Sequence, residues 1–229
     1  SVGVARCMTN CSSLIAAYTH YESNAISGVT PPVIPGGGGA VGSLLHHPGA
    51  AITASTGPVS AFYDVDFQLG DLAIRRVWYA GANYAVNWTL GGRYAHLDQS
   101  FGQSGVFSGG SGGQINTRTN VGFDGAGLRF GLDGDRRFGC RGLSLYANAN
   151  ISPMLGTVQA DYTMQNASTS VLLAQSTWKD DRFIAMLDYE AGFAWTSANG
   201  LWRLTSGYRM AHWFNAVTTD SFVAGVQAG

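Results

Sequence analysis

Charged residues make up only 12 % of this 229-residue chain, about half of the roughly 25 % found in ordinary globular domains, while glycine and aromatic residues are abundant. The net charge of −1 excludes an electrostatic attraction to nucleic acid, and no segment approaches the roughly 18 consecutive apolar residues of a membrane-spanning helix. An outer-membrane β-barrel explains low charge, many aromatics and no apolar helix, because its apolar residues alternate with polar ones. The alternative is a soluble β-sandwich or lipocalin-like barrel, because polar and apolar residues also alternate along the strands of such proteins.

Alternating polarity, which marks strands, recurs along the whole chain. The predicted strands are, in chain order, 2–9, 12–23, 60–69, 86–101, 118–133, 142–165, 183–196, 201–214 and 219–227. The connections are short at 9–12, 135–141 and 197–200, moderate at 70–85, and long at 25–57, 102–117 and 166–180. Short turns therefore alternate with longer loops, as in a barrel that has periplasmic turns on one side and extracellular loops on the other.

Cys7 and Cys11 flank the turn between the first two strands. A small disulfide across this turn is possible in an oxidising periplasm. The alternative is that these residues and Cys140 are ordinary thiols. Three cysteines without a fitting histidine do not predict a metal site.

The segment 142–165 changes phase near Ser152-Pro153, because its apolar residues are odd-numbered before that point and even-numbered after it. Such a flip means either a bulge within one long strand or a turn between two strands. Two strands would place long loops on both sides of the membrane, so we expect one bulged strand.

The hairpin at 183–214 carries the strongest signal. Each of its strands is about fourteen residues long, whereas a typical globular strand has roughly five or six. Large apolar residues occupy one face and charges the other, which is typical of a strand between lipid and a polar lumen.

The predicted strands number nine in all, whereas bacterial single-chain barrels have an even number of strands. We therefore expect one antiparallel up-and-down barrel domain over 1–229, with about 10 strands (8–12). Because nine is odd, one strand is expected to be missing, before Ser1, and because Gly229 is not an aromatic residue the C-terminal end is expected to be trimmed.

Nine charged residues are predicted to line the lumen: Asp64, Asp66, Arg93, Arg129, Asp133, Asp188, Glu190, Arg203 and Arg209. The two strands of the hairpin should pair, which would bring Asp188 and Glu190 near Arg203 and Arg209. These charges could form a selective constriction, a salt-bridged filling or a specific binding site. Barrels of eight strands are filled by side chains and those of sixteen leave a channel, so ten strands lie near the filled end.

No catalytic, cofactor or metal site is predicted. The histidines at 20, 96 and 212 lie at strand ends or on outward phases, and no G-x-S-x-G nucleophile motif occurs. The glycine run at 36–39 is not followed by the G-K-S/T of a phosphate loop. We therefore expect a protein that is not an enzyme.

Several segments between residues 60 and 214 form a combined pattern: Tyr63-Asp64-Val65-Asp66, Leu69-Gly70, Gly91 to Gln99, Phe123 to Gly134, Leu187 to Gly192 and Gly207-Tyr208-Arg209. With these segments the chain resembles the Legionella major outer membrane protein family, which is also described as pore-forming. The resemblance implies a pore-forming membrane β-barrel and brings no catalytic residues.

We therefore expect a bacterial outer-membrane protein in contact with membrane lipid, acting as a porin-like pore for small solutes or as a structural membrane component. A second hypothesis is a barrel anchor whose loop 25–57 binds a partner, such as another subunit or a surface layer; homo-oligomers are compatible with both. A soluble binding barrel is the third.

Overall fold

The computed structural model describes residues 2–9, 12–35, 37–139, 142–198 and 202–228. Its elements are β1 (Val2–Thr9), β2 (Ser12–Val29), β3 (Val33–Ile34), β4 (Gly37–Gly38), β5 (Val59–Ala80), β6 (Tyr84–Phe107), β7 (Gly113–Phe138), β8 (Leu143–Asn166), β9 (Val171–Thr196), β10 (Arg203–Phe214) and α1 (Thr219–Ala228). Eight strands form one antiparallel sheet in the order β1-β2-β5-β6-β7-β8-β9-β10, and β3 pairs with β4 separately. The predicted all-β antiparallel architecture is confirmed, with a short helix added at its end.

None of the helices in the described ranges is long and apolar enough to cross a membrane.

Most strands are longer than predicted, and three of the predicted loops are wrong. The connection 70–85 is largely strand because β5 continues to Ala80, and the loops at 102–117 and 166–180 shrink to turns at 108–112 and 167–170. Glycine, serine and asparagine in these segments suggested loops, but here they are paired in strands. Ser104, for example, donates a hydrogen bond to Asn116 across the β6–β7 ladder at 2.8 Å.

The predicted strand at 219–227 is also wrong, because this segment forms α1. The Thr218 backbone amide donates to Ser221 Oγ at 3.1 Å, and the Ser221 hydroxyl donates to the Thr218 carbonyl at 2.8 Å. The first bond satisfies the backbone amide that precedes the helix, and the Thr218 carbonyl also accepts the first helical hydrogen bond, from the Phe222 amide at 3.0 Å. Phe222 and Val226 lie four residues apart and therefore share one helix face, a spacing that also fits alternation over so short a segment.

The disulfide prediction is not tested. Cys11 and Cys140 lie outside the described residues, and the side chain of Cys7 is not described.

The two faces of the sheet exchange polarity halfway along the strands. The lower end of the sheet carries the β5–β6, β7–β8 and β9–β10 connections and the adjoining ends of β1 and β2 at Thr9 and Ser12. The upper end carries the connections from β2 to β5, from β6 to β7 and from β8 to β9. In the lower half, the outer face is apolar, with Leu90 and Leu128 exposed, and the buried face is charged. In the upper half the buried face is apolar, with Phe123 and Val158 among its residues, and the outer face is polar.

This exchange explains the phase change in β8, and the expected bulge at Ser152-Pro153 is wrong. The pairing of β8 with β9 keeps one register from Leu143 to Met164, past the proline. A single strand therefore runs the full length of the sheet. Its even-numbered residues face the interior throughout, from Ser144 to Asn166. What changes near residue 152 is the polarity of each face and not the geometry of the strand.

Two hydrophobic clusters fill the upper interior. One centres on strand residues that include Leu97, Phe123 and Ile184, and the other includes Phe107, Ile115 and Tyr162. The side chain of Phe222 on α1 packs against both clusters. The connection 30–58 folds inward as well, since Leu45 is fully buried and its carbonyl accepts a hydrogen bond from the Tyr162 hydroxyl at 2.6 Å. Helix and loop together form a plug in this half of the molecule.

Candidate functional site: a buried charge network

Arg93 lies at the centre of the lower interior. Its side chain is 0 % exposed, and those of its partners Asp71 and Asp188 are 6 % and 4 % exposed. Asp71 is the residue directly opposite Arg93 on β5, and its two carboxylate oxygens accept hydrogen bonds from Nε at 2.6 Å and from Nη2 at 3.0 Å. Nη1 forms an ion pair with Asp188 on β9. The guanidinium thus uses both edges to hold carboxylates from opposite sides of the interior.

Four strands besides β6 contribute to the same network. Arg129 on β7 pairs with Asp71 through Nη1 at 2.7 Å, and its Nε donates to Asn150 Oδ1 at 3.2 Å. The Asn150 amide on β8 donates to Asp188 Oδ1 at 2.9 Å. The side chains therefore form a closed circuit in the order Asp71, Arg93, Asp188, Asn150, Arg129 and back to Asp71, which we call the charge ring.

Electrostatically, the charge ring is balanced. Two arginines face two aspartates, and the asparagine supplies a donor and an acceptor without charge. Burying a charge is costly unless it is paired and hydrogen-bonded, and removing one partner of a buried pair costs about 3–5 kcal/mol. The ring satisfies that condition for its charges, while Arg209 approaches Asp188 from β10 at 4.0 Å.

A more exposed layer of polar pairs lies below the ring. Arg75 pairs with Asp133, which also accepts a hydrogen bond from the Asn87 amide at 2.7 Å. Arg203 on β10 pairs with Asp135 on β7. The side chains of Arg75 and Arg203 are 40 % and 46 % exposed, so this layer is open to solvent.

The structure brings most of the predicted lumen charges to one face. Arg93, Arg129 and Asp188 belong to the charge ring, and the remaining members on this face lie beside or below it, namely Asp133, Glu190, Arg203 and Arg209. The predicted pairing within the hairpin holds only for Asp188 and Arg209. Arg203 reaches Asp135 instead, and the Glu190 carboxylate accepts a hydrogen bond from the Tyr146 hydroxyl at 2.6 Å.

Asp64 and Asp66 are corrections to the predicted set. The β5 ladder keeps one register with β6 from Val59 to Val77. The even-numbered carboxylates therefore lie on the opposite face from Asp71, and Asp66 Oδ1 lies 3.1 Å from His20 on the outer surface. The prediction assumed that apolar residues point outward everywhere, which fails in the upper half because the plug provides an apolar interior.

Two members of the ring, Asp71 and Asn150, were missed. Asp71 fell in the segment read as a connection, although Asp71, Ala73 and Arg75 alternate with the apolar Leu72 and Ile74. That alternation continues the strand, with exposed apolar residues on one face and charges on the other, and could have identified the residue. Asn150 carries no comparable signal, since an uncharged amide on a strand has many other uses.

Among the described residues, no three histidine, cysteine, aspartate or glutamate side chains are grouped so that they could hold a metal ion.

A family model described as the Legionella pneumophila major outer membrane protein precursor matches residues 10–228, which is nearly the whole chain. The chain belongs to this family. It is accordingly a protein of the bacterial outer membrane, and the resemblance seen in the sequence is confirmed. No curated protein and no solved structure matches the chain.

Proposed function

We propose that the sheet closes into an outer-membrane barrel through β1 and β10, with the apolar outer face of its lower half against lipid. Contacts across the concave face support this closure. Arg93 on β6 reaches Asp188 on β9, and Arg203 on β10 reaches Asp135 on β7, in each case past two intervening strands. A sheet with such contacts is strongly curved. Eight strands is also an even number, so the first and last strands run antiparallel and can pair.

The proposed role is that of a structural outer-membrane component with a closed interior. The observation that carries this proposal is the complete burial of the Arg93 side chain between two carboxylates. The plug of α1 and the loop around Leu45 lies above it, in the upper half. A solute would have to displace the plug and then separate paired charges, and interiors of eight-stranded barrels are generally filled by side chains.

A porin-like pore is the second candidate. It is favoured by the solvent-exposed polar layer at Arg75 and Arg203, which would form the entrance of such a path. This candidate requires a second conformation in which α1 leaves the interior. Neither candidate involves a catalytic step.

Conductance in planar lipid bilayers separates the two candidates. We expect the inserted wild-type protein to be silent and the R93Q variant, which breaks the ring, to be silent or only briefly conducting while the plug stays in place. Discrete and stable conductance steps by the wild-type protein would overturn the closed interior and select the pore. Barrel closure is tested separately by heat-dependent migration in unboiled gels, and absence of a heat-sensitive form would contradict it.

If the predicted loop 25–57 binds a partner, we expect the contact at a small part of this loop. The segment around Leu45 is buried in the plug, whereas Val33 in the β3–β4 hairpin is 98 % exposed. A partner would therefore contact 30–39. Deletion of this segment should abolish co-purification of any partner, and unchanged co-purification would refute the hypothesis.

A further inference from the structure

A cleft of about 580 Å³ lies between the upper part of β9 and helix α1. β10 pairs with β9 only from Ala185 to Thr196. Above that level β9 has β8 on one side and, among the described residues, no strand on the other. The cleft opens along this free edge.

The chain leaves the sheet at this level in a defined way. Asn215 adopts a left-handed backbone conformation with a φ of 61°, and its side-chain amide donates to the Phe183 carbonyl at 3.0 Å. The asparagine thus satisfies a carbonyl at the point where β10 ends. β10 therefore ends at a defined position, and this leaves the upper edge of β9 without a neighbouring strand among the described residues. Beside this edge, 216–228 folds back into the interior.

The two walls of the cleft differ in chemistry. The α1 side is mainly apolar and is formed by Val217, Phe222 and Val226, with Gly225 between them. The β9 side presents Trp178, Arg182 and two hydroxyl side chains. A single cationic group in the lining of a cleft with one mainly apolar wall suits a ligand with an apolar body and one anionic end.

Arg182 is oriented for an anion. Its guanidinium carbon lies 4.9 Å from the centre of the Trp178 ring, which stabilises the cation. Only its Nε is engaged, by Asp180 at 3.0 Å. The two terminal nitrogens have no hydrogen bond or ion pair with any residue that the structure describes. They form the outer edge of the guanidinium, which can bind a carboxylate through two parallel hydrogen bonds.

The level of the cleft suggests where such a ligand comes from. Arg182 precedes Phe183, whose exposed side chain lies in the uppermost apolar row of the outer face together with Leu155 and Tyr94. In the proposed membrane orientation this row lies at the boundary between lipid chains and head groups. We infer that the cleft binds a single-chain anionic amphiphile, a long-chain carboxylate, with the chain along α1 and the carboxylate on Arg182. The binding chemistry follows from the cleft itself, and only the route of entry depends on the proposed function.

The test uses a long-chain fatty acid that carries a photoactivatable diazirine in its chain, added to the full chain in amphipol. Labelled peptides are identified by mass spectrometry. We expect saturable labelling of the peptide that contains 216–228, and competition by the unlabelled acid. The methyl ester of the acid should compete about tenfold less well, because it cannot form the charge-assisted bonds to Arg182. A two-chain diazirine phosphatidylglycerol serves as the other lipid source and should label this peptide weakly.

Three variants sharpen the result. R182Q should remove the preference for the acid over its methyl ester. K179Q removes a cation from the outer face of the same strand and should leave that preference unchanged. G225L should abolish the labelling, because Gly225 lines the cleft and a Cβ at this position meets no atom of another element within 4 Å, so the added side chain extends into the space of the ligand.

Labelling that is confined to the outer apolar face, or that is insensitive to both R182Q and G225L, would overturn the inference. Preferential labelling by the phosphatidylglycerol would overturn the single-chain assignment. Each protein sample is first checked for heat-dependent gel migration, so failure of the barrel proposal is recognised independently of ligand binding.

Discussion

Arg93 and Asp188 form a buried ion pair although their strands, β6 and β9, are separated in the sheet by β7 and β8. Such a contact can form only across a concave face. The pair therefore ties distant parts of the sheet together, and Asp71 and Asn150 connect it to the strands between and beside them. The same side chains connect these strands and, in the proposed function, close the interior.

The R93Q variant should lower the free energy of unfolding by about 3–5 kcal/mol, because it removes the buried cation that Asp71 and Asp188 share and leaves two carboxylates against one arginine in the ring. The measurement is denaturant unfolding of the protein refolded into lipid vesicles. R118Q is the matched control, since Arg118 hydrogen-bonds to Ser100 and Asn120 on the outer face of the upper half. The control should change stability by less than about 1 kcal/mol.

The double variant R93Q/D188N tests whether charge balance is the cause. It removes one charge of each sign from the ring, so its loss of stability should be clearly smaller than the sum of the two single losses. If the losses of stability of the two single variants simply add up in the double variant, the two residues act independently, which contradicts their coupling in the charge ring.

The plug should depend on Phe222, the α1 side chain that contacts both hydrophobic clusters. F222A should lower the free energy of local opening of α1 by about 2–4 kcal/mol through lost burial and an added cavity. Hydrogen exchange of the amides in 219–228 and 41–55 measures this opening. G225A is the control and should leave exchange unchanged or slower, because the added methyl group meets no other atom and alanine favours helix. Unchanged exchange in F222A would mean that α1 is not held by this contact.

Alternation predicted the strands and most of their partners but not the direction in which each face points. In the hairpin 183–214 the direction was right, since the exposed face there is apolar and the charges lie on the other face. At Asp64 and Asp66 the predicted direction was wrong. A strand with a polar outer face and an apolar inner face shows the same alternation as a strand with an apolar outer face and a polar inner face. What decides between the two is the plug, whose elements lie at 41–55 and 219–228, far from these strands in sequence. To predict the plug, one would have to know that 219–227 is helical. Nine residues of mixed polarity do not distinguish a helix from a strand.

Mild acid should loosen the start of α1. The hydrogen bond with Thr218 lowers the pKa of Asp220 from its ordinary value of 3.8. A carboxyl group with a lowered pKa stabilises the folded state above its unfolded pKa, and this contribution is lost as the pH falls through the folded pKa. The protection of 219–228 against hydrogen exchange, taken relative to the intrinsic exchange rate at each pH, should therefore fall below about pH 4. D220N should show faster exchange at neutral pH and a weaker pH response, and an identical response in both proteins would exclude Asp220 as the titrating group.

The exchange of polarity between the two halves of the sheet predicts which half lies in lipid. Leu90 and Val106 are both exposed apolar residues on the outer face of β6, the first in the lower half and the second near the upper end. L90R should lower the free energy of unfolding in vesicles by about 2–4 kcal/mol, the cost of an arginine facing the middle of a bilayer. V106R places the same side chain on the same strand and face, but in water, and should cost less than about 1 kcal/mol. Equal losses would contradict the assignment of the lower half to the membrane, and a larger loss for V106R would invert it.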